Sequence, residues 1–260
     1  MPLSGLIASG NLEAALQQVK QSIRNTPADP SLRSLLFQIY AITGNWEGAA
    51  TQLNVLSDLG PENEMFAQVY RRVLRCEETR RAVHGGKVQP VVFGEPAEWV
   101  GFLVQAFRLF ASGETAAAVE LQQKAFEIAP PTPGKLDGNP FEWIVDGDSA
   151  LGPLLEVYVE GNYWWVPFSR IQSISSEGPK YVLDSVWLPV EFCWINGGIA
   201  AGFIPVRYAG SEQSFDPACQ MARKTDWSEI APGCFRGDGQ RMLMTDVGES
   251  PVLDFRKLEF

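Results

Sequence analysis

The chain of 260 residues carries 21 Lys and Arg against 31 Asp and Glu, a net charge of −10, with 45% hydrophobic and 20% charged residues. That is the balance of a folded soluble protein, and its negative charge repels phosphate backbones and anionic lipid, which removes nucleic acid and membrane surfaces from the first partners to consider. Four cysteines without C-x-x-C spacing and a single histidine, His84, give no zinc-ligand set. The start of the chain lacks the basic and apolar regions of a signal peptide, and no apolar run reaches the length of a membrane span. The expectation is a reduced, cytoplasmic protein without metal or cofactor.

The first half contains a repeat. Gly10-Asn-Leu12-Glu-Ala-Ala15 through Pro27 recurs at Gly44-Asn-Trp46-Glu-Gly-Ala49 through Pro61, and again at Gly113-Glu-Thr115-Ala-Ala-Ala118 through Pro130. The first two copies are offset by one tetratricopeptide (TPR) period of about 34 residues. Each position has a physical reason: Gly ends the preceding helix in a tight turn, a small Ala lets two helices approach, and Pro stops the second helix. Apolar spacing predicts further helices over 31–43, 62–81 and 97–112, with half a helix before Gly10. The third copy lies two periods plus one residue after the second, which predicts a divergent copy between them. Residues 83–96 read as a loop that contains His84. Arg71, Arg72, Arg75, Arg80 and Arg81 read as a solvated helix face, with an acidic partner as the other reading.

Pro130 to Asn139 has the turn formers of a linker, which places a boundary between residues 1–134, a TPR-like helical domain, and 135–260, a strand-rich domain. The fold class expected is therefore α+β. Residues 154–159 and 163–168 read as one β-hairpin, and 186–195 and 199–208 as a second, turned at Asn196-Gly197-Gly198. Pro167, Pro189 and Pro205 direct their strands toward edges or bulges. Closing strands are expected at 241–246 and 251–258, and a short helix at 216–223.

Chemistry is sparse in this half. Asp146-Gly-Asp148 opens like a calcium loop but lacks the required Gly and Glu further on, so Asp148 reads as a helix or turn cap, with a metal-dependent hydrolase using Asp146 and Asp148 as the alternative. Trp164 and Trp165 are adjacent on a strand and must point to opposite faces. The exposed one is an interface candidate.

Six segments of the second half resemble the ImpE family, also called TagJ: Trp143-Ile-Val-Asp146-Gly-Asp148-Ser-Ala-Leu151-Gly152-Pro153, Tyr163-Trp-Trp165-Val-Pro167-Phe168, Trp194-Ile-Asn196-Gly-Gly198, Gly202-Phe-Ile-Pro205-Val-Arg207-Tyr208, Ala222-Arg223-Lys-Thr-Asp-Trp227 and Gly239-Gln-Arg241-Met242. The pattern is broken at Ala150, where Arg is expected, and at Ala209, where Pro is expected. The resemblance implies a cytoplasmic accessory protein of the bacterial type VI secretion system, with no catalytic residue. It implies an adaptor that binds the N-terminal helix of the small sheath subunit and links the contractile sheath to the ClpV ATPase. A generic peptide-binding scaffold is the competing expectation. The expected partner-binding residues are Trp164, Trp165 and Trp194 as aromatic anchors, with Arg207 and Arg241 as polar partners.

Overall fold

The three repeat copies become three helices of equal length. In the computed structural model, which describes residues 3–260, they are α2 (Leu12–Asn25), α4 (Trp46–Leu59) and α7 (Thr115–Ile128), each of 14 residues. Each copy's first glycine has the left-handed φ that the turn demands, 79° at Gly10, 69° at Gly44 and 82° at Gly113. The small residue of each copy, Ala15, Ala49 and Ala118, is completely buried. Asn11 and Asn45 cap their helices by accepting from the N–H groups of Ala14 and Gly48.

Between them run α1 (Leu3–Ala8), α3 (Pro30–Ile42), α5 (Glu64–His84) and α6 (Glu98–Ser112). The gap between the second and third copies holds no divergent pair. It is filled by α5, a single helix of 21 residues, followed by an extended segment that reaches Ala97. No glycine or proline interrupts residues 62–84, so nothing in that stretch can turn the chain back.

From residue 134 onward the chain is mostly strand. β1 (Gly134–Leu136), β2 (Asn139–Phe141), β4 (Leu154–Val159), β5 (Asn162–Pro167), β6 (Ile171–Ser175), β7 (Trp187–Trp194), β8 (Ile199–Pro205) and β13 (Lys257–Glu259) form one antiparallel sheet in the order β2-β1-β13-β6-β7-β8-β4-β5. β3 (Ile144–Asp146), β11 (Met242–Thr245) and β12 (Gly248–Pro251) make a second sheet, and β9 (Thr225–Ala231) pairs with β10 (Cys234–Gly239). A one-turn helix, α8 (Pro217–Gln220), precedes β9.

Both predicted hairpins are present, the first turned by Glu160 and Gly161 at positive φ and the second by the Asn-Gly segment. Three sequence expectations need correction. The supposed linker holds β1 and β2, which extend the large sheet. The closing segment 251–258 is a turn leading into β13 rather than one strand. Pro189 and Pro205 lie in interior strands, not edges. Each sits where the pairing to one neighbouring strand has stopped: β6 pairs with β7 only between Glu191 and Trp194, and β4 with β8 only at Gly202 and Phe203, so no N–H is missed there.

The sheet is covered on both faces, and strand alternation sorts its residues. On β4, Leu154 and Tyr158 join the core shared with the helices, whereas Leu155, Val157 and Val159 join a second core with Ile144, Leu243 and Phe255. All six residues of β4 are buried. One of them is Glu156.

Candidate functional site

Glu156 has no exposed surface, and it lies on the helix-facing side of the sheet where an isolated carboxylate could not be tolerated. Its charge is met from several elements. Arg80 of α5 makes a two-pronged pair, with Nε and Nη2 each 3.0 Å from the carboxylate oxygens. His84, at the end of α5, places Nε2 2.8 Å from Oε1, while the Tyr163 hydroxyl of β5 and the Arg241 guanidinium also reach the carboxylate. Burial alone would raise the Glu156 pKa, but Arg80, His84 and Arg241 outweigh it and hold the group well below the usual carboxylate range.

The cluster extends in two directions. Toward the helices, Glu77 accepts from the Tyr158 hydroxyl at 2.6 Å and the Trp187 indole at 3.0 Å, and it pairs with Arg80. Toward the second sheet, Arg241 bridges Glu156 to Asp146 and also donates to the Pro205 carbonyl at 3.0 Å. Asp146 is pushed up to about 6, because burial outweighs the attraction of Arg241. Among the described residues no buried side-chain nitrogen or oxygen lacks a partner.

The strand-rich half also caps two helices. Arg207 donates to the Ile42 carbonyl at 2.6 Å, to the Ala41 carbonyl at 3.2 Å and to the Gln220 carbonyl at 2.6 Å, so its charge sits at the C-terminus of α3. Arg223 does the same for α1, donating to the carbonyls of Ala8 and Ile7.

Against this geometry, four of the five expected partner-binding residues are interior. Trp165 and Arg241 are completely buried, Arg207 is 4% exposed and Trp194 is 6% exposed. The reasons are specific: Trp165 packs edge-on against Phe107 and donates its indole N–H to Tyr163, Trp194 stacks on Phe93 and Phe192, and both arginines spend their donors on carboxylates and carbonyls of their own chain. Trp164 faces the other way, half-buried under the edge of Phe93. Of the expected set it alone keeps appreciable surface.

Asp148 acts as the expected turn former, and Asp146, to which the sequence reading gave no such role, does the same. Asp146 accepts from the Asp148 N–H at 2.8 Å, and Asp148 accepts from the N–H groups of Ala150 and Gly237. With Arg241 on the remaining Asp146 oxygen, the pair is committed to the fold, which removes the geometric basis for the metal-dependent hydrolase. Elsewhere Asp216, Cys219 and Asp226 approach one another, but Lys224 already bridges both carboxylates. His84 belongs to the helix end, not to a loop. Arg80 leaves the predicted solvated face for the interior, whereas Arg72, Arg75 and Arg81 stay exposed.

A helical layer locked onto an antiparallel sheet through a buried ion-pair cluster defines the class, an α+β protein whose most elaborate polar site joins its own parts. The comparisons place it more narrowly. A family model described as ImpE protein matches residues 138–259. The type VI secretion system accessory component TagJ of Pseudomonas aeruginosa is 39% identical over 255 residues, covering 98% of this chain and 89% of that protein. A crystal structure of a Vibrio parahaemolyticus protein superposes with a TM-score of 0.90 at 27% identity, over 99% of this chain and 96% of the other. The chain belongs to the ImpE family, of which TagJ is the relative matched along nearly its whole length.

Proposed function

We propose that this chain is a non-catalytic, cytoplasmic adaptor of the bacterial type VI secretion system. In this reading it holds the N-terminal helix of the small sheath subunit and links the contractile sheath to the ClpV ATPase. Residues 1–134 are the TPR-like helical domain and 135–260 the strand-rich domain that braces it. The observation that carries the proposal is the near full-length match to a protein described as a type VI secretion accessory component. Two features support it further. The most concentrated polar chemistry of the chain is consumed internally, at Glu156, Arg80, Arg241 and Asp146. Stacked helices also expose apolar grooves of the kind that receive an amphipathic helix. No helix among the described residues is long and apolar enough to cross a membrane.

The test is a calorimetric titration of the full chain with a synthetic peptide spanning the N-terminal helix of the cognate small sheath subunit, followed in parallel by tryptophan emission. Saturable one-to-one binding is expected. Absence of heat with both the peptide and the intact sheath subunit would remove the sheath as partner and favour a generic peptide scaffold.

A further inference from the structure

Residues 85–97 carry the chain from α5 to α6 across the outer edge of β5, the last strand of the large sheet. Pro90 and Pro96 offer no N–H and bar a helix here, and the residue before each is driven toward an extended backbone. Gly86 and Gly94 turn the two ends at left-handed φ values of 68° and 78°. The result is a strap rather than a strand.

Its attachment is slight. Val92 makes one isolated parallel bridge to Trp165, in which the Phe93 N–H donates to the Trp165 carbonyl and the Trp165 N–H to the Val91 carbonyl, both at 2.9 Å. The Arg170 guanidinium donates to the Glu95 carbonyl at 2.9 Å. On its other side β5 pairs with β4 over six consecutive residues. Residues 86–90 line a cavity of about 150 Å³ together with Val83, Val104 and Phe107, so packing there is incomplete. Val88 and Val91 are 48% and 54% exposed.

Two side chains hold the strap down, and alternation sends them to opposite cores. Val92 packs against the core shared with the helices and Phe93 against the second one. Phe93 stacks on Trp194 with ring centres 4.4 Å apart and meets Trp164 edge-on at 5.8 Å. The surface under this one ring is therefore aromatic, and beside it lies a strand edge able to form hydrogen bonds.

We propose that residues 87–96 are a detachable strap, the chain's own occupant of a strand-binding site on the outer edge of β5. Lifting it between Gly86 and Gly94 frees the Trp165 N–H and carbonyl and uncovers the surfaces of Trp194 and Trp164 now beneath Phe93. The rest of the fold stays closed, because Arg80 and His84 still tie α5 to Glu156. The segment seated there defines what the site accepts: an extended backbone that exchanges two hydrogen bonds with Trp165 and lays an aromatic ring on Trp194. An incoming strand of that kind must displace the strap, which makes the contact self-inhibiting. Nothing in this device depends on which secretion component the chain meets.

The first measurement is amide exchange of the full wild-type chain by NMR in low concentrations of urea, read at Phe93 and Trp165. Both N–H groups are expected to exchange about a hundredfold or more faster than those of β7 at the sheet centre, with little dependence on urea, because the opening exposes little surface. Exchange at the β7 rate with the full urea dependence would mean that the strap opens only with the whole fold, and the proposal fails. The second measurement uses Phe93→Ser, whose folding circular dichroism checks, and a fluorescein-labelled peptide of residues 87–96 followed by anisotropy. Saturable binding to the variant is expected, with wild type weaker by about tenfold or more because its own strap competes. The same peptide carrying Phe93→Ser should also bind the variant about tenfold or more weakly. No binding to the folded variant, or equal binding of the two peptides, overturns the strand-binding site. If Phe93→Ser does not fold, exchange in the wild type decides alone.

Discussion

Two arginines of α5 stand in opposite situations. Arg80 and Arg72 are two turns apart on one helix, yet the first is buried with four acceptors on Glu156, Glu77 and Arg207, and the second is exposed, with no ion pair among the described residues. Side-chain chemistry alone does not tell a structural arginine from one free to meet a partner. What separates them is whether the fold has already spent the donors. Strand alternation shows the same contrast at Trp164 and Trp165, where one backbone step divides a half-covered ring from a fully buried one.

The sharpest way to break the contrast is at Glu156. Replacing it by Gln leaves Arg80 and Arg241 facing each other without their shared counter-charge, and loss of one partner from a buried pair costs about 3–5 kcal/mol. Thermal unfolding should show a large fall, whereas a destabilisation below about 1 kcal/mol would mean that the cluster is more hydrated than its burial indicates. Comparable in size is Trp165→Ala, expected to cost about 3–5 kcal/mol through the cavity left against Phe107. Trp164→Ala should cost well under half of that, and similar losses from the two neighbours would contradict the alternation.

The helical periodicity and the two hairpins were legible because each depends on local rules, with Gly, Ala and Pro at fixed offsets and Asn-Gly between apolar runs. The partners of Glu156 were not, since Arg80, His84 and Arg241 lie 76, 72 and 85 positions away and no local pattern links them. One signal was available: a single carboxylate in Leu154-Leu-Glu-Val-Tyr-Val159, an otherwise apolar strand, requires a buried cation from elsewhere. The motif arginines were misread for a related reason. Arg207 and Arg241 look like ligands because they are strong donors, but in the fold those donors close on the carbonyls of α3 and on two buried carboxylates.

Arg207 gives a smaller effect. Arg207→Met keeps much of the buried stem but leaves the Ala41, Ile42 and Gln220 carbonyls without their donor, at a cost of about 1–3 kcal/mol. Hydrogen exchange should then rise first in the last turn of α3. Uniform loss of protection across the chain would instead show that Arg207 supports the whole fold.

The pH dependence separates two carboxylates that share one arginine. The folded Glu156 is held below its ordinary pKa, so its contribution is complete above the usual value of 4.5 and is lost as pH falls toward the folded value. Asp146 runs the other way. Its folded pKa of about 6 lies above the ordinary 3.8, so the folded state binds its proton more tightly and this contribution is lost as pH rises from about 4 to about 6. Asp146→Asn removes that second dependence alone. The stability of wild type relative to Asp146→Asn should therefore be greater at pH 4.5 than at pH 7, as measured by urea unfolding at the two values. A difference of the opposite sign would mean that Arg241 governs Asp146 more strongly than burial does, and that the ion-pair chain is ionised along its whole length throughout this range.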